Sequence, residues 1–169
     1  FAAGVATMVF FAFGDPLDEA TQVGAIVSPE HQAKIDAYVR GAVAAGATLR
    51  LGGGPLAVPG LDGQFYQPTV VADVTPDMAI AREEVFGPVA ALIPFDSEEE
   101  AIRLANDTAY GLAAVTWTSN LERGHRVAQQ MRVGMSWVNT WYLRDLRSPF
   151  GGVGLSGIGR EGGQHSMHS

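Results

Sequence analysis

Three helix starts are written into this sequence, and short apolar runs lie between them. Ser28-Pro29-Glu30 supplies a capping hydroxyl, a proline suited to the first helical position, and a carboxylate at the positive end of the helix dipole. The helix that follows has an apolar stripe of Ile35, Val39, Ala42 and Val43, with Gly46 as its C-cap. Ser97, with Glu100 three residues on, forms a capping box for a helix through about Asn106. Asn120 caps a third helix, carrying Leu121, Ala128 and Met131. The runs between them read as strands. Thr48 to Leu51 is short and leads into Gly52-Gly53-Gly54. Phe65 to Val74 is extended but broken by Pro68, and Pro88 to Phe95 reads as a buried strand. Leu112 to Thr118 alternates, and Val133 to Asn139 closes the series. Capped helices alternating with such runs predict an α/β fold, a largely parallel sheet with flanking helices. No repeat or linker divides residues 1–169, so a single domain is expected.

Charge and composition exclude several function classes. The formal net charge is −7, with no basic tail or patch to neutralise phosphate, so neither nucleic acid nor an anionic membrane is expected as a partner. None of the 169 residues is cysteine, which removes disulfides, thiolate nucleophiles and Cys-ligated metals from these residues. Phe1 to Phe13 is an uncharged apolar segment, too short to span a bilayer and without the basic flank of a signal peptide. It is expected to be a buried helix or strand, and the location expected for the chain is cytoplasmic. A first residue other than Met reads as a fragment or processed product.

Four motifs carry candidate chemistry. Gly152-Val153-Gly154-Leu155-Ser156-Gly157 has the form G-x-G-x-x-G, but a dinucleotide fingerprint needs a strand before it, a helix after it and a later acid. A tight loop is the expectation. Glu161, His165 and His168 have helical metal-site spacing, but Gly162-Gly163 and the nearby end of the sequence favour a frayed terminus. In Trp141-Tyr142-Leu143-Arg144-Asp145-Leu146-Arg147, two arginines beside aromatics suit bidentate binding of a carboxylate substrate, or else a structural ion pair with Asp145 or with a carboxylate elsewhere. Finally, Glu83-Glu84-Val85-Phe86-Gly87-Pro88-Val89 puts adjacent carboxylates against an aromatic, a glycine and a proline. A general acid or base, a ribose-hydroxyl acceptor and a solvated loop all remain open for that pair.

Taken together, these segments resemble the aldehyde dehydrogenase superfamily. The resemblance is carried by Gly14-Asp15-Pro16-Leu17, Gly52-Gly53-Gly54, Tyr66-Gln67-Pro68-Thr69-Val70, the Glu83–Val89 stretch and Tyr110-Gly111-Leu112-Ala113-Ala114. It continues through Trp137-Val138-Asn139, Ser148-Pro149-Phe150-Gly151-Gly152 and Ser156-Gly157-Ile158-Gly159-Arg160-Glu161. Order and spacing match over nearly everything after Phe13. The Trp141–Arg147 tract is most similar to the branch acting on 2-hydroxymuconic and 2-aminomuconic semialdehydes in aromatic-ring catabolism.

The resemblance implies an oxidoreductase that uses NAD or NADP to oxidise a small-molecule aldehyde to the acid. It implies that Glu84 accepts hydrogen bonds from the nicotinamide-ribose hydroxyls and that Phe86 packs near the nicotinamide. Asn139 and Phe150 are implied to line the aldehyde pocket, and Arg144 or Arg147 to hold a substrate carboxylate. In the family a cysteine thiolate attacks the aldehyde, hydride passes to the cofactor, and a glutamate base activates water. By the family register that nucleophile, the general base and the NAD-binding domain lie before Phe1. The expectation is therefore a partial aldehyde dehydrogenase catalytic domain, truncated and inactive alone, with no catalytic residue of its own. Two other readings stand beside it: an interaction module that pairs with a partner or as a homo-oligomer through exposed core and Phe1–Phe13, and a metal hydrolase built on His165 and His168.

Overall fold

The computed structural model describes residues 11–167. The chain divides into two compact units, Phe1–Pro94 and Phe95–Ser169. The first holds helix α1 (Pro29–Ala44), strands β1 (Thr48–Leu51), β2 (Pro55–Leu56), β3 (Phe65–Tyr66) and β4 (Thr69–Ala72), the single-turn helix α2 (Ala79–Arg82), and strand β5 (Val89–Ala91). The second holds α3 (Glu98–Asn106), β6 (Ala113–Thr116), α4 (Leu121–Gln130), β7 (Met135–Val138) and the short 3-10 turns Gly154–Ser156 and Gln164–Met167.

All three predicted helix starts are observed, each by the expected capping bond. Ser28 Oγ accepts from His31 N–H at 3.2 Å, Ser97 Oγ from Glu100 N–H at 3.1 Å, and Asn120 Oδ1 from Arg123 N–H at 2.9 Å. The Glu100 carboxylate reaches back to Asp96 N–H at 2.9 Å. Helix α1 ends in a Schellman arrangement: Gly46 N–H donates to Val43 O and Ala47 N–H to Ala42 O, both at 3.0 Å, with Gly46 at φ +105°. Ile35, Val39 and Ala42 form the buried stripe of α1 and pack with Tyr66, Val71, Val74, Met78 and Ile80. Val43 is exposed, against expectation: at about 100° per residue it stands about 40° beyond Val39, past the edge of that stripe. In α4 the buried positions are Gly124 and Val127, where the helix meets β6 and β7; Leu121 is exposed and Met131 has become the C-cap.

The α/β reading holds, with the strands shared among three small sheets. One runs in the order β1-β4-β5, with β1–β4 antiparallel and β4–β5 parallel. The pair β2–β3 is antiparallel, and β6–β7 is parallel across the α4 connection. The Phe65–Val74 run is interrupted at Gln67-Pro68, where proline cannot donate to a ladder. The run from Pro88 to Phe95 is shorter and less buried than predicted. Only Val89–Ala91 is strand, its residues are half-buried, and Phe95 is exposed. Among the described residues that strand lies at the sheet's edge, with β4 as its one partner there. Residues 1–10 of the apolar N-terminal segment lie outside the described residues. At its end, Phe13 bridges Val23 and meets the Phe65 ring edge-on at 6.4 Å. Among the described residues, no helix is long and apolar enough to cross a membrane.

Candidate functional site

The acidic pair Glu83-Glu84 follows the last turn of α2, where Glu83 N–H donates to Ala79 O at 2.9 Å. From Glu83 to Phe86 the backbone leaves the helix, and alternate residues take opposite duties. Tyr38 O–H of α1 donates to Glu83 Oε2 at 2.5 Å. Val85 packs against the core cluster. Gly87 lies so close to α1 that a Cβ there would stand 2.7 Å from Ile35 Cδ1. Glu83, Glu84 and Phe86 are all exposed, but only Glu83 has its side chain tied to α1. Glu84 has no hydrogen bond to any other described residue, and the Phe86 ring is 72% exposed. Phe86 sits at φ +54°, which costs a non-glycine residue on the order of 1 kcal/mol or more and turns its carbonyl toward α1. There His31 Nε2 stands 2.8 Å from Phe86 O. A carbonyl only accepts, so the imidazole nitrogen carries the proton. A carboxylate and an aromatic ring are thus presented outward on a loop fastened from behind.

The second unit gathers the other predicted residues. Asn139, at the end of β7 and at φ +54°, locks its amide onto the loop after β6. Its Oδ1 accepts from Thr118 N–H and its Nδ2 donates to Thr118 O, both at 2.8 Å. Trp137 is buried, donates Nε1–H to Leu143 O at 2.8 Å, and stacks in a tilted cluster with Trp141 and Tyr142.

The two arginines, indistinguishable by residue type, are in different surroundings. Arg147 is almost fully exposed and folds back on Asp145, with Nη2 at 2.6 Å from Oδ2. Those hydrogen bonds hold the Asp145 carboxyl below its ordinary value. This is the structural ion pair the sequence allowed. Arg144, by contrast, keeps only 15% of its side chain exposed. Its guanidinium lies 4.5 Å over the Phe150 ring, and Nη1 donates to Glu161 Oε1 at 2.9 Å. Arg144 Nε is buried without a hydrogen-bond partner. Phe150 and Glu161 are tied to each other by two backbone bonds, of 2.7 and 2.8 Å. Arg144, Phe150 and Glu161 therefore form one cluster, with Arg147 outside it.

The remaining motifs resolve into structure. Gly152–Gly157 contains a short 3-10 turn, with no α-helix after it among the described residues. It packs through Val153 N–H to Gly111 O and Leu155 N–H to Ala109 O, both at 2.9 Å, so it is the expected tight loop. Glu161 is engaged by Arg144, and His168 lies outside the described residues. Among the described residues, no group of three metal-ligating side chains is close enough to hold an ion.

Sequence reasoning missed His31 and Tyr38. The signal was present: with Ile35 they stand at i, i+4 and i+7 on α1, one helix face. It allowed an ion pair with a carboxylate elsewhere but did not name Glu161 as the partner of Arg144, a contact 17 residues apart in sequence with no local periodicity to announce it.

Comparison with known proteins gives a consistent picture. The aldehyde dehydrogenase family model matches residues 2–169. A 2-aminomuconic 6-semialdehyde dehydrogenase of a Pseudomonas species is 54% identical over 90% of this chain and 32% of its own length. A betaine aldehyde dehydrogenase of Brucella anthropi is 50% identical over 89% of this chain and 31% of its own length. A crystal structure of Mycobacterium tuberculosis aldehyde dehydrogenase complexed with NAD+ matches with a TM-score of 0.88 at 45% identity, covering 97% of this chain and 34% of that one. The chain spans about a third of the length of the curated relatives it matches.

Proposed function

Since this chain belongs to the aldehyde dehydrogenase family, we propose that it supplies part of the cofactor and substrate sites of an enzyme that oxidises an acid-bearing aldehyde with NAD+. The observation that carries the cofactor reading is the outward-facing pair Glu84 and Phe86, on a loop whose alternate residues are committed to α1. A carboxylate without an internal partner offers two acceptor oxygens, which suit the two vicinal hydroxyls of a ribose. An exposed ring beside it suits the face of a nicotinamide. The residues present therefore fit the nicotinamide end of the cofactor, which when bound accepts hydride from the aldehyde carbon. The contribution of these residues is binding and orientation. The thiolate nucleophile implied by the family resemblance is not among the 169 residues, which contain no cysteine.

Arg144 supports the substrate class. A cation held over Phe150 and oriented by Glu161 is already restricted, so little further side-chain entropy is lost when it meets a carboxylate. A semialdehyde such as a muconic one, with an acid at the end remote from the aldehyde, has the group Arg144 would bind. Phe150, under the guanidinium, and Asn139, held on Thr118, are proposed to shape the same subsite.

The test of the cofactor reading is Glu84→Gln, in the protein that carries this chain, with the NAD+ dissociation constant measured by titration. Hydrogen bonds to a charged group are worth about 1.5–3 kcal/mol, so the constant is expected to rise on the order of 10- to 100-fold. An unchanged constant removes Glu84 from the cofactor site.

A further inference from the structure

We infer that Tyr38 and His31, on α1, are positioning residues for the nicotinamide-ribose subsite, acting through Glu83 and the Phe86 carbonyl to hold Glu84 and Phe86 outward. The inference rests on the cofactor reading of Glu84 and Phe86 given above.

The geometry is a three-point seat. His31, Ile35 and Tyr38 lie on one face of a 16-residue helix capped by Ser28 at its start and closed by a Schellman turn at its end. Each side chain takes a different part of the loop: His31 Nε2–H the Phe86 carbonyl at 2.8 Å, Ile35 the Cα of Gly87 by close approach, and Tyr38 O–H the Glu83 carboxylate at 2.5 Å. Two of the three contacts are polar and directional, so they fix the rotation of the loop as well as its height. Rotation is what matters here. In an extended segment, successive side chains face opposite ways, so tying the exposed Glu83 carboxylate to Tyr38 on α1 obliges Glu84 to face away from α1. If Glu83 were released, the two carboxylates would become interchangeable solvated acids, and neither would be oriented for a diol. Lys34 Nζ also lies over the Tyr38 ring, 5.6 Å from its centroid.

The experiment uses Tyr38→Phe and Glu83→Gln, which act on the two ends of one bond, with Glu84→Gln as reference. Two ligands are titrated into the protein that carries this chain: NAD+, and AMP, which lacks the nicotinamide ribose. Tyr38→Phe is expected to weaken NAD+ about three- to tenfold, the loss of one hydrogen bond's worth of orientation, and to leave AMP affinity and the KM for aldehyde unchanged. The double variant Tyr38→Phe/Glu84→Gln is expected to bind NAD+ no more weakly than Glu84→Gln alone, because the tyrosine, bonded to Glu83, contributes to NAD+ binding by orienting Glu84. Equal weakening of NAD+ and AMP would mean a general structural role and would overturn the inference. Full NAD+ affinity in both Tyr38→Phe and Glu83→Gln, with Glu84→Gln impaired, would also overturn it and leave the cofactor reading standing. Full affinity in Glu84→Gln as well would instead bring down the cofactor reading itself.

Discussion

Gly87→Ala tests the seat of the cofactor loop without any assay of activity. A Cβ at this position would stand 2.7, 2.9 and 3.1 Å from Cδ1, Cγ1 and Cγ2 of Ile35. Carbon atoms pack best at about 3.5–4.0 Å, so the loop and the helix must part by roughly 1 Å. Ile35 is fully buried, with α1 and the core around it, and has no open side to swing into. The strain therefore falls on the loop, at an overpacking cost of about 1–3 kcal/mol. Urea denaturation should show a lower midpoint at unchanged slope. The second arm is Ile35→Val, which removes Cδ1, the nearest clashing atom. Alone it should cost about 0.5–1.5 kcal/mol. In the double variant part of the clash is gone, so the two losses should fall short of additive by about 1 kcal/mol. Strict additivity, or a Gly87→Ala variant as stable as the parent, would refute the claim that α1 and the loop meet at this contact.

Two further outcomes follow from the geometry. Arg144→Ala should raise KM for carboxylate-bearing aldehydes on the order of tenfold or more and leave neutral aldehydes nearly untouched, whereas Arg147→Ala should change neither; initial-rate kinetics with paired substrates decide it, and equal effects on both substrates would make Arg144 structural. Burial, followed by the neighbouring Asp36, raises the phenol of Tyr66 well above its ordinary value of 10.0. The folded state thus keeps a proton that the unfolded state gives up, so this contribution to stability is complete below about pH 10 and declines above it. Tyr66→Phe should flatten the alkaline limb of a stability-versus-pH curve, and an identical limb would assign it to other groups.

The helices were legible because their signals are local. A capping side chain and the group it caps are three residues apart, and all three starts were found at the residue. The β1 boundaries and the break at Pro68 were legible for the same reason: proline removes a ladder donor wherever it stands. What was not legible depends on partners distant in sequence. An apolar run such as Pro88–Phe95 does not say whether it has one neighbouring strand or two, and an edge position leaves it half-buried. The division of the strands into three sheets is likewise set by pairing. In the candidate site, residue types were readable and their duties were not. Tyr38 meets Glu83 across 45 residues and His31 meets Phe86 across 55, and no periodicity within the loop encodes either contact.

The same distinction explains why identical residues take opposite roles in this chain. Glu83 and Glu84 are adjacent, alike in charge and both exposed, yet period-two backbone turns only Glu83 to the Tyr38 hydroxyl of α1. Arg144 and Arg147 are both paired with a carboxylate, but the two pairs are not equivalent. The Arg147 bond closes over two residues and stays exposed, which makes it a local turn device of little energetic weight. The Arg144 bond joins two segments, each tied to the other through Phe150, and the ring beneath the guanidinium excludes water from one face. A cation desolvated on one face interacts more strongly with an incoming anion than a fully hydrated one, since the screening it loses has already been removed. Substrate charge should therefore be read by Arg144, the less exposed of the two arginines, even though Arg147 would be the easier one for a ligand to reach.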